Sequence, residues 1–282
     1  MSSHKRRNRL SFSDLKRAGI VVLWAAMVVG VLFLVIRHLA VGEIDMREQR
    51  ASAEYVAELQ QVDLPDGMPS ERIAYKGFTV YFNPRLHIPN CVVYELTASE
   101  TEGTVPRFGS FERDSAVAGC ANPWDYTLSG YDRGHMIPAG DLKWDSLAMR
   151  ESFKMTNVCP QVRSLNSGGW TQIEEKIREW AVRDSALIVA TGPVITHGMK
   201  TIGASHVAVP TAFFKVVLSP FTTPMRAIGF IYPNKSANGP LKRYAVSVDE
   251  VERRTGIDFF SALPDDIEDK IESQLNLDVW TH

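Results

Sequence analysis

Ala18 to Ile36 contains no charged residue. At about 1.5 Å per residue, a helix of that length spans about 28 Å, close to the hydrocarbon thickness of a bilayer. Nothing in the run is polar enough to mark a solvent-facing stripe, which argues against a helix packed on a soluble core. The run divides the chain into a basic cytoplasmic segment (1–17), a transmembrane signal anchor (18–40), a polar stalk (41–70) and a folded domain (71–282). Lys5, Arg6, Arg7, Arg9, Lys16 and Arg17 precede the run, and Arg37 alone follows closely. The positive-inside bias then puts the N-terminus in the cytoplasm and the domain outside it, periplasmic or extracellular. Ala40-Val41-Gly42 would suit signal-peptide cleavage and give a secreted product. The long basic region, the long apolar run and the intervening Arg37-His38 favour an uncleaved anchor.

Charge is uneven along the chain. Of 31 Lys and Arg, seven lie in residues 1–42, against one of the 33 Asp and Glu. The remainder is therefore acidic overall. Proteins that wrap a long duplex present a basic face. Contact with nucleic acid would here have to be local, metal-assisted or weak. Cys91, Cys120 and Cys159 fit no metal-binding spacing and read as small buried hydrophobes, with a Cys91–Cys120 disulfide as the alternative in an oxidising compartment.

From about residue 72 the pattern becomes globular. Runs rich in Val, Ile, Phe and Tyr predict strands at 78–82, 91–97, 153–157, 187–191, 206–218, 227–232 and 244–248. Trp170 to Val182 places Trp170, Ile173, Ile177, Trp180 and Ala181 on one helical face. Pro264 to Leu275 opens with Pro and acidic residues and repeats Ile267, Ile271 and Leu275, a second helix. Val248 to Arg254 is a weaker third. Strands and helices out of strict alternation predict an α+β domain.

The chemistry concentrates in Asp132-Arg133-Gly134-His135. Breaking a phosphodiester needs a group to deprotonate water, a group to bear charge on the phosphate and usually a metal ion. His135 and Arg133 supply the first two. Asn166 precedes the predicted helix and Glu174 lies eight residues on, about two turns into it, a net offset of 80° at 100° per residue. An amide oxygen and a carboxylate there can address one hard cation, and Mg²⁺ prefers oxygen ligands and keeps several waters.

Three motifs in order carry a resemblance: Asp132-Arg133-Gly134-His135; Thr156-Asn157-Val158-Cys159-Pro160-Gln161; and Leu165-Asn166 through Trp170 to Ile173-Glu174. In them the chain resembles the metal-dependent DNA/RNA non-specific endonucleases with the ββα-metal (His-Me finger) fold, the endonuclease G and Serratia-type nucleases. Weaker resemblance runs from about Tyr75 to Leu275. It implies a ββα-metal domain with a central antiparallel or mixed sheet. It implies hydrolysis of DNA and RNA to 5′-phosphate ends, with Mg²⁺ as cofactor, Mn²⁺ as substitute, and a homodimer as assembly. His135 would be the general base, Asn166 the direct protein ligand of the metal, and Glu174 a hydrogen-bond partner of a metal-bound water. Asn157 would order the site and Arg133 would face the phosphate. The family's second arginine falls on Arg107 or Arg113, with Arg107 preferred. Cys159 stands where the family has Ser, Thr or Ala.

Each residue also has a plainer reading. Asn166 suits a helix N-cap, Glu174 a solvated helix position, and Arg133 a structural ion pair. Asp132 reads as support rather than ligand, and His197 and His206 as surface residues. Two other functions stay open on residues alone: a metal phosphodiesterase acting on nucleotides or other phosphate esters, and a binding protein on a degenerate nuclease scaffold.

Overall fold

The computed structural model describes residues 53–237 and 239–281. The segment read at 18–36 lies outside them; among the described residues no helix is long and apolar enough to cross a membrane. The folded unit is Val56–His282.

Its strands are β1 (Val62–Asp63), β2 (Glu71–Tyr75), β3 (Phe78–Asn83), β4 (Ile88–Thr97), β5 (Asp132–His135), β6 (Val158–Gln161), β7 (Ala186–Pro193), β8 (Lys200–Ile202), β9 (Val207–Val209), β10 (Ala212–Ser219), β11 (Arg226–Pro233), β12 (Ala245–Val246) and β13 (Asp258–Phe259). The helices are α1 (Ser146–Glu151), α2 (Thr171–Asp184), α3 (Val248–Thr255), α4 (Asp265–Glu272) and α5 (Asp278–Thr281). One sheet carries the order β12-β11-β10-β7-β4-β3-β2, with every neighbouring pair antiparallel. The expected α+β class is present, and the main sheet is antiparallel rather than mixed.

Helices cover both faces of this sheet. Every residue of β7 is buried, so this strand shows no polar alternation. Successive residues of β10 point opposite ways: Phe213 packs on Trp170 at 5.7 Å between ring centroids, and Phe214 on Phe259 at 5.5 Å. In β11, Phe230 stacks on Trp180 of α2. Its neighbour Gly229 faces α3, where an added Cβ would come within 2.6 Å of the Val251 side chain. Helix α2 therefore lies on one face and α3 on the other.

A separate ribbon, β5 with β6, leads through residues 165–170 into α2. This is the ββα unit. The apolar face read from sequence is the buried face of α2: Trp170, Ile173, Ile177, Trp180 and Ala181 are at most 3% exposed.

The structure differs from expectation at three places. Part of the expected stalk belongs to the folded unit, since Val56, Leu59 and Val62 are buried and β1 pairs with β13. These three apolar residues, spaced by three, give a polar stretch one side that the core can cover. The strand read over 206–218 is two strands, β9 and β10, because Pro210 has no N–H to continue a ladder. The strand expected at 153–157 is instead a 3-10 turn at Met155–Asn157, and β6 begins at Val158. All three cysteines are buried free thiols, as read from their spacing, and Cys91 and Cys120 do not pair.

Candidate active site

His135 ends β5 opposite Val158 of β6. Its backbone carbonyl accepts a hydrogen bond from the Trp170 indole at 3.1 Å, tying the strand to the start of α2. The ribbon closes tightly here. A Cβ at Gly134 would fall 2.1 Å from the Gln161 side chain, so a larger residue here would have to displace that buried side chain. The imidazole packs against Phe153 (4.8 Å) and Phe111 (5.0 Å), which also touch each other at 5.1 Å. Its Nε2 is sealed from solvent without a hydrogen-bond partner. Burial, with the Arg107 charge, lowers the imidazole to about 3. The ring is thus neutral at ordinary pH, but further from the usual range than the sequence suggests. The cause is burial against this aromatic pair, with the nearby guanidinium.

A cavity of about 560 Å³ opens beside His135, lined among others by Arg107, Arg133, Asn166, Glu174 and Arg178. Of the two candidate second arginines, Arg107 lines this cavity, its guanidinium 4.8 Å over the Phe153 ring; Arg113 does not line it. Arg133 is held from behind, donating from Nε and Nη2 to the Pro123 carbonyl. It therefore makes a backbone anchor rather than an ion pair. Three arginines face two carboxylates, Asp132 and Glu174, so the cavity is locally basic within an acidic domain.

Asn157 lies behind the cavity and is fully buried. Its Oδ1 accepts from the Ile137 N–H at 3.0 Å, and its Nδ2 donates to the Ile137 and Ser152 carbonyls. These bonds fix the chain immediately after His135.

Asn166 does not cap α2. It sits in a wide turn, Leu165–Trp170, in which Gly168 leaves helical geometry (φ −120°, ψ −113°). The 80° offset from Glu174 assumed an unbroken helix and does not apply, yet both side chains line the cavity. The Asn166 Nδ2 donates to Asp132 at 3.2 Å, and its Oδ1 has no hydrogen-bond partner among the described residues. Asp132 accepts this bond and so turns the amide with its oxygen left open. That oxygen and the Glu174 carboxylate form a donor set that fits a hard divalent cation.

Beneath Glu174 lies a charged group that the motifs do not reveal. Asp141 is buried and accepts from Arg178 at 2.7 Å and from the Tyr94 hydroxyl at 2.9 Å. Lys215, fully buried in β10, donates to the Met136 carbonyl at 3.2 Å and lies 4.3 Å over the Trp170 ring. Burial raises Glu174 to about 7 against the opposing pull of Lys215, Arg178 and Arg107. Burial lowers Lys215 to about 8. Two signals for these residues were present in the sequence. Arg178 follows Glu174 by one helical turn, and Lys215 interrupts the apolar run Phe213-Phe214-Lys215-Val216-Val217.

The family model for DNA/RNA non-specific endonucleases matches residues 56–266. The chain belongs to the DNA/RNA non-specific endonuclease family. Members are nucleases, phosphodiester hydrolases that act on nucleic acids with the help of a metal ion. The chain is similar to the mitochondrial nuclease 1 of Schizosaccharomyces pombe, 32% identical over 72% of this chain and 70% of that protein. It is also similar to human mitochondrial nuclease EXOG, 31% identical over 79% of this chain and 66% of that one. A solved structure of the EndoG/EndoGI complex superposes with a TM-score of 0.66 at 28% identity, covering 69% of this chain and 87% of the matched chain. The cavity at the ββα unit is thus the place to look for this endonuclease's chemistry.

Proposed function

We propose that this chain is a Mg²⁺-dependent, sugar-non-specific endonuclease that cleaves DNA and RNA to 5′-phosphate ends. One observation carries the reading: His135, its Nε2 sealed, and Asn166, its Oδ1 open, line the same basic cavity. Because Nε2 is closed off, Nδ1 is the ring nitrogen that takes the proton from the attacking water. Arg107 and Arg133 hold the phosphate and bear its charge. A phosphodiester bound there offsets the repulsion that Arg107 imposes on His135, and so strengthens the base when substrate is present.

Asn166 would hold the ion directly, and Glu174 would accept a hydrogen bond from water of its shell. Mn²⁺ has the same preference for oxygen and would substitute. When bound, the ion would neutralise charge on the phosphate and on the leaving 3′ oxygen. Asn157 acts through His135 by fixing the chain at Ile137.

We further propose that residues 18–36 anchor the protein in a membrane with the domain outside the cytoplasm. The uncharged run and its basic leading flank support this. The homodimer rests on the resemblance alone.

The test is nicking of supercoiled plasmid and of structured RNA by the membrane fraction, with Mg²⁺ and with EDTA, and with protease added from the outer side. Expected are Mg²⁺-dependent nicking of both substrates and its loss on protease treatment. Nicking that persists in EDTA would sink the metal assignment, and protease-resistant activity the topology.

A further inference from the structure

On the face of the sheet opposite the active site, helices α3 and α4 bring three carboxylates together. Asp249 and Glu252 lie one turn apart on α3, and Glu272 ends α4. One oxygen from each lies within 4.8 Å of the others. Glu272 is 4% exposed, and its Oε1 is buried without a hydrogen-bond partner.

Such an oxygen destabilises the fold, more so when charged, unless something satisfies it. Among the described residues no basic side chain pairs with Glu272. The nearest basic residues on α3, Arg253 and Arg254, both bind Glu250 instead. The charged groups that act most on Glu272 are acidic: Glu252, Glu268, Asp249 and Asp258. Glu252 is already engaged on one side, where it accepts from the Phe259 N–H at 2.9 Å.

We infer that Asp249, Glu252 and Glu272 form a second divalent-cation site, of calcium type, that clamps α3 to α4. Calcium takes six to eight oxygens at about 2.3–2.6 Å. Oxygens up to about twice that distance apart can share one ion. Asp249 is exposed, Glu252 half-buried and Glu272 buried, so the set is open on one side, where water completes the shell. Calcium fits better than magnesium, which demands near-ideal octahedral geometry and gives up its waters reluctantly. An ion there supplies the missing partner of Oε1 and cancels the repulsion among the acids. Burial and that repulsion push Glu272 up to about 9, so without an ion it holds a proton.

The site is independent of the catalytic reading, and its test is made so. Thermal unfolding of the metal-stripped Asn166→Ala protein, which lacks the amide oxygen of the catalytic cavity, is followed with and without millimolar Ca²⁺. Saturating Ca²⁺ should raise Tm by about 5 °C or more. Adding Glu272→Gln, which keeps the shape of the protonated acid and so folds, should remove that rise. Asp249→Asn, at the exposed edge where the core is untouched, should weaken Ca²⁺ binding about tenfold or more by calorimetry. Glu272→Gln in the otherwise native chain should leave Mg²⁺-dependent nicking unchanged. No Ca²⁺-dependent rise in the Asn166→Ala protein overturns the inference in favour of a protonated acid cluster. A rise that survives Glu272→Gln overturns it in favour of binding elsewhere.

Discussion

Glu174 and Glu272 are helix carboxylates on opposite faces of one sheet, and burial lifts both above the ordinary carboxylate range. Their surroundings differ in sign. Glu174 is opposed by Lys215, Arg178 and Arg107, and stops at about 7. Glu272 is pushed the same way by neighbouring acids and rises to about 9. In the catalytic cavity the protein supplies countercharge from its own side chains and leaves oxygens free for a ligand. In the α3–α4 layer the arginines of α3 pair with Glu250, and no described cation pairs with Glu272. The first arrangement holds a carboxylate near the point of ionisation, where small changes in charge alter its state. The second keeps it protonated unless a cation arrives.

The largest effect should come from breaking the catalytic side at its base. His135→Ala is expected to reduce kcat for nicking by about 10²–10⁴. Binding to a DNA oligonucleotide, carried by the arginines, should remain. If nicking persists at the native rate, His135 is not the base.

Next is the carboxylate on the matched side. Glu174→Gln keeps the shape and removes the charge. It should lower Mg²⁺ affinity or activity by about 10–100-fold, read from the metal dependence of nicking. The paired substitution Glu272→Gln, which leaves activity alone, makes this a comparison between the two faces. Equal loss in both variants would mean a general effect of removing acid. The pH dependence has a definite sign. Glu174 is raised in the folded protein, so its ionisation costs stability that first appears above about 4.3, the unfolded value. That cost is complete above about 7. Metal that binds the ionised form should therefore raise Tm more at pH 8 than at pH 5. A Mg²⁺ effect that is flat across this window would detach the ion from Glu174.

These two faces were not equally legible in the sequence. His135, Asn157, Asn166 and Glu174 stood out because each lies in a short local motif whose chemistry can be named residue by residue. The apolar face of α2 was legible because 3.6-residue spacing reports directly which side is buried. The geometry from Asn166 to Glu174 was not. It depends on Gly168 leaving the helix, and no periodicity contains that break. Lys215 and Asp141 are 74 residues apart in sequence, and only the register of β10 within the sheet brings them near Glu174. The α3–α4 acids were equally hidden. Asp249 and Glu252 look like an ordinary solvated helix face until Glu272 arrives from the next helix, buried and unpaired.

The finest test moves the catalytic side toward the condition of the other face. Lys215→Met keeps an unbranched apolar stem against Trp170 and deletes the charge beneath Glu174. Glu174 then retains Arg178 and Arg107 on one side and Asp141 on the other. Lys215 is its strongest opposing cation, so without it the carboxyl should hold its proton to higher pH. The acid limb of the kcat/KM profile in Mg²⁺ should move upward by a measurable fraction of a pH unit or more. At pH 9, where Glu174 is ionised in either protein, activity should return to within about tenfold of the native enzyme. Lys215→Arg restores charge but not shape, so it should recover part of the shift at a cost in stability. A merely structural Lys215 predicts lower Tm with an unmoved acid limb, and that outcome would remove it from the electrostatics of the site.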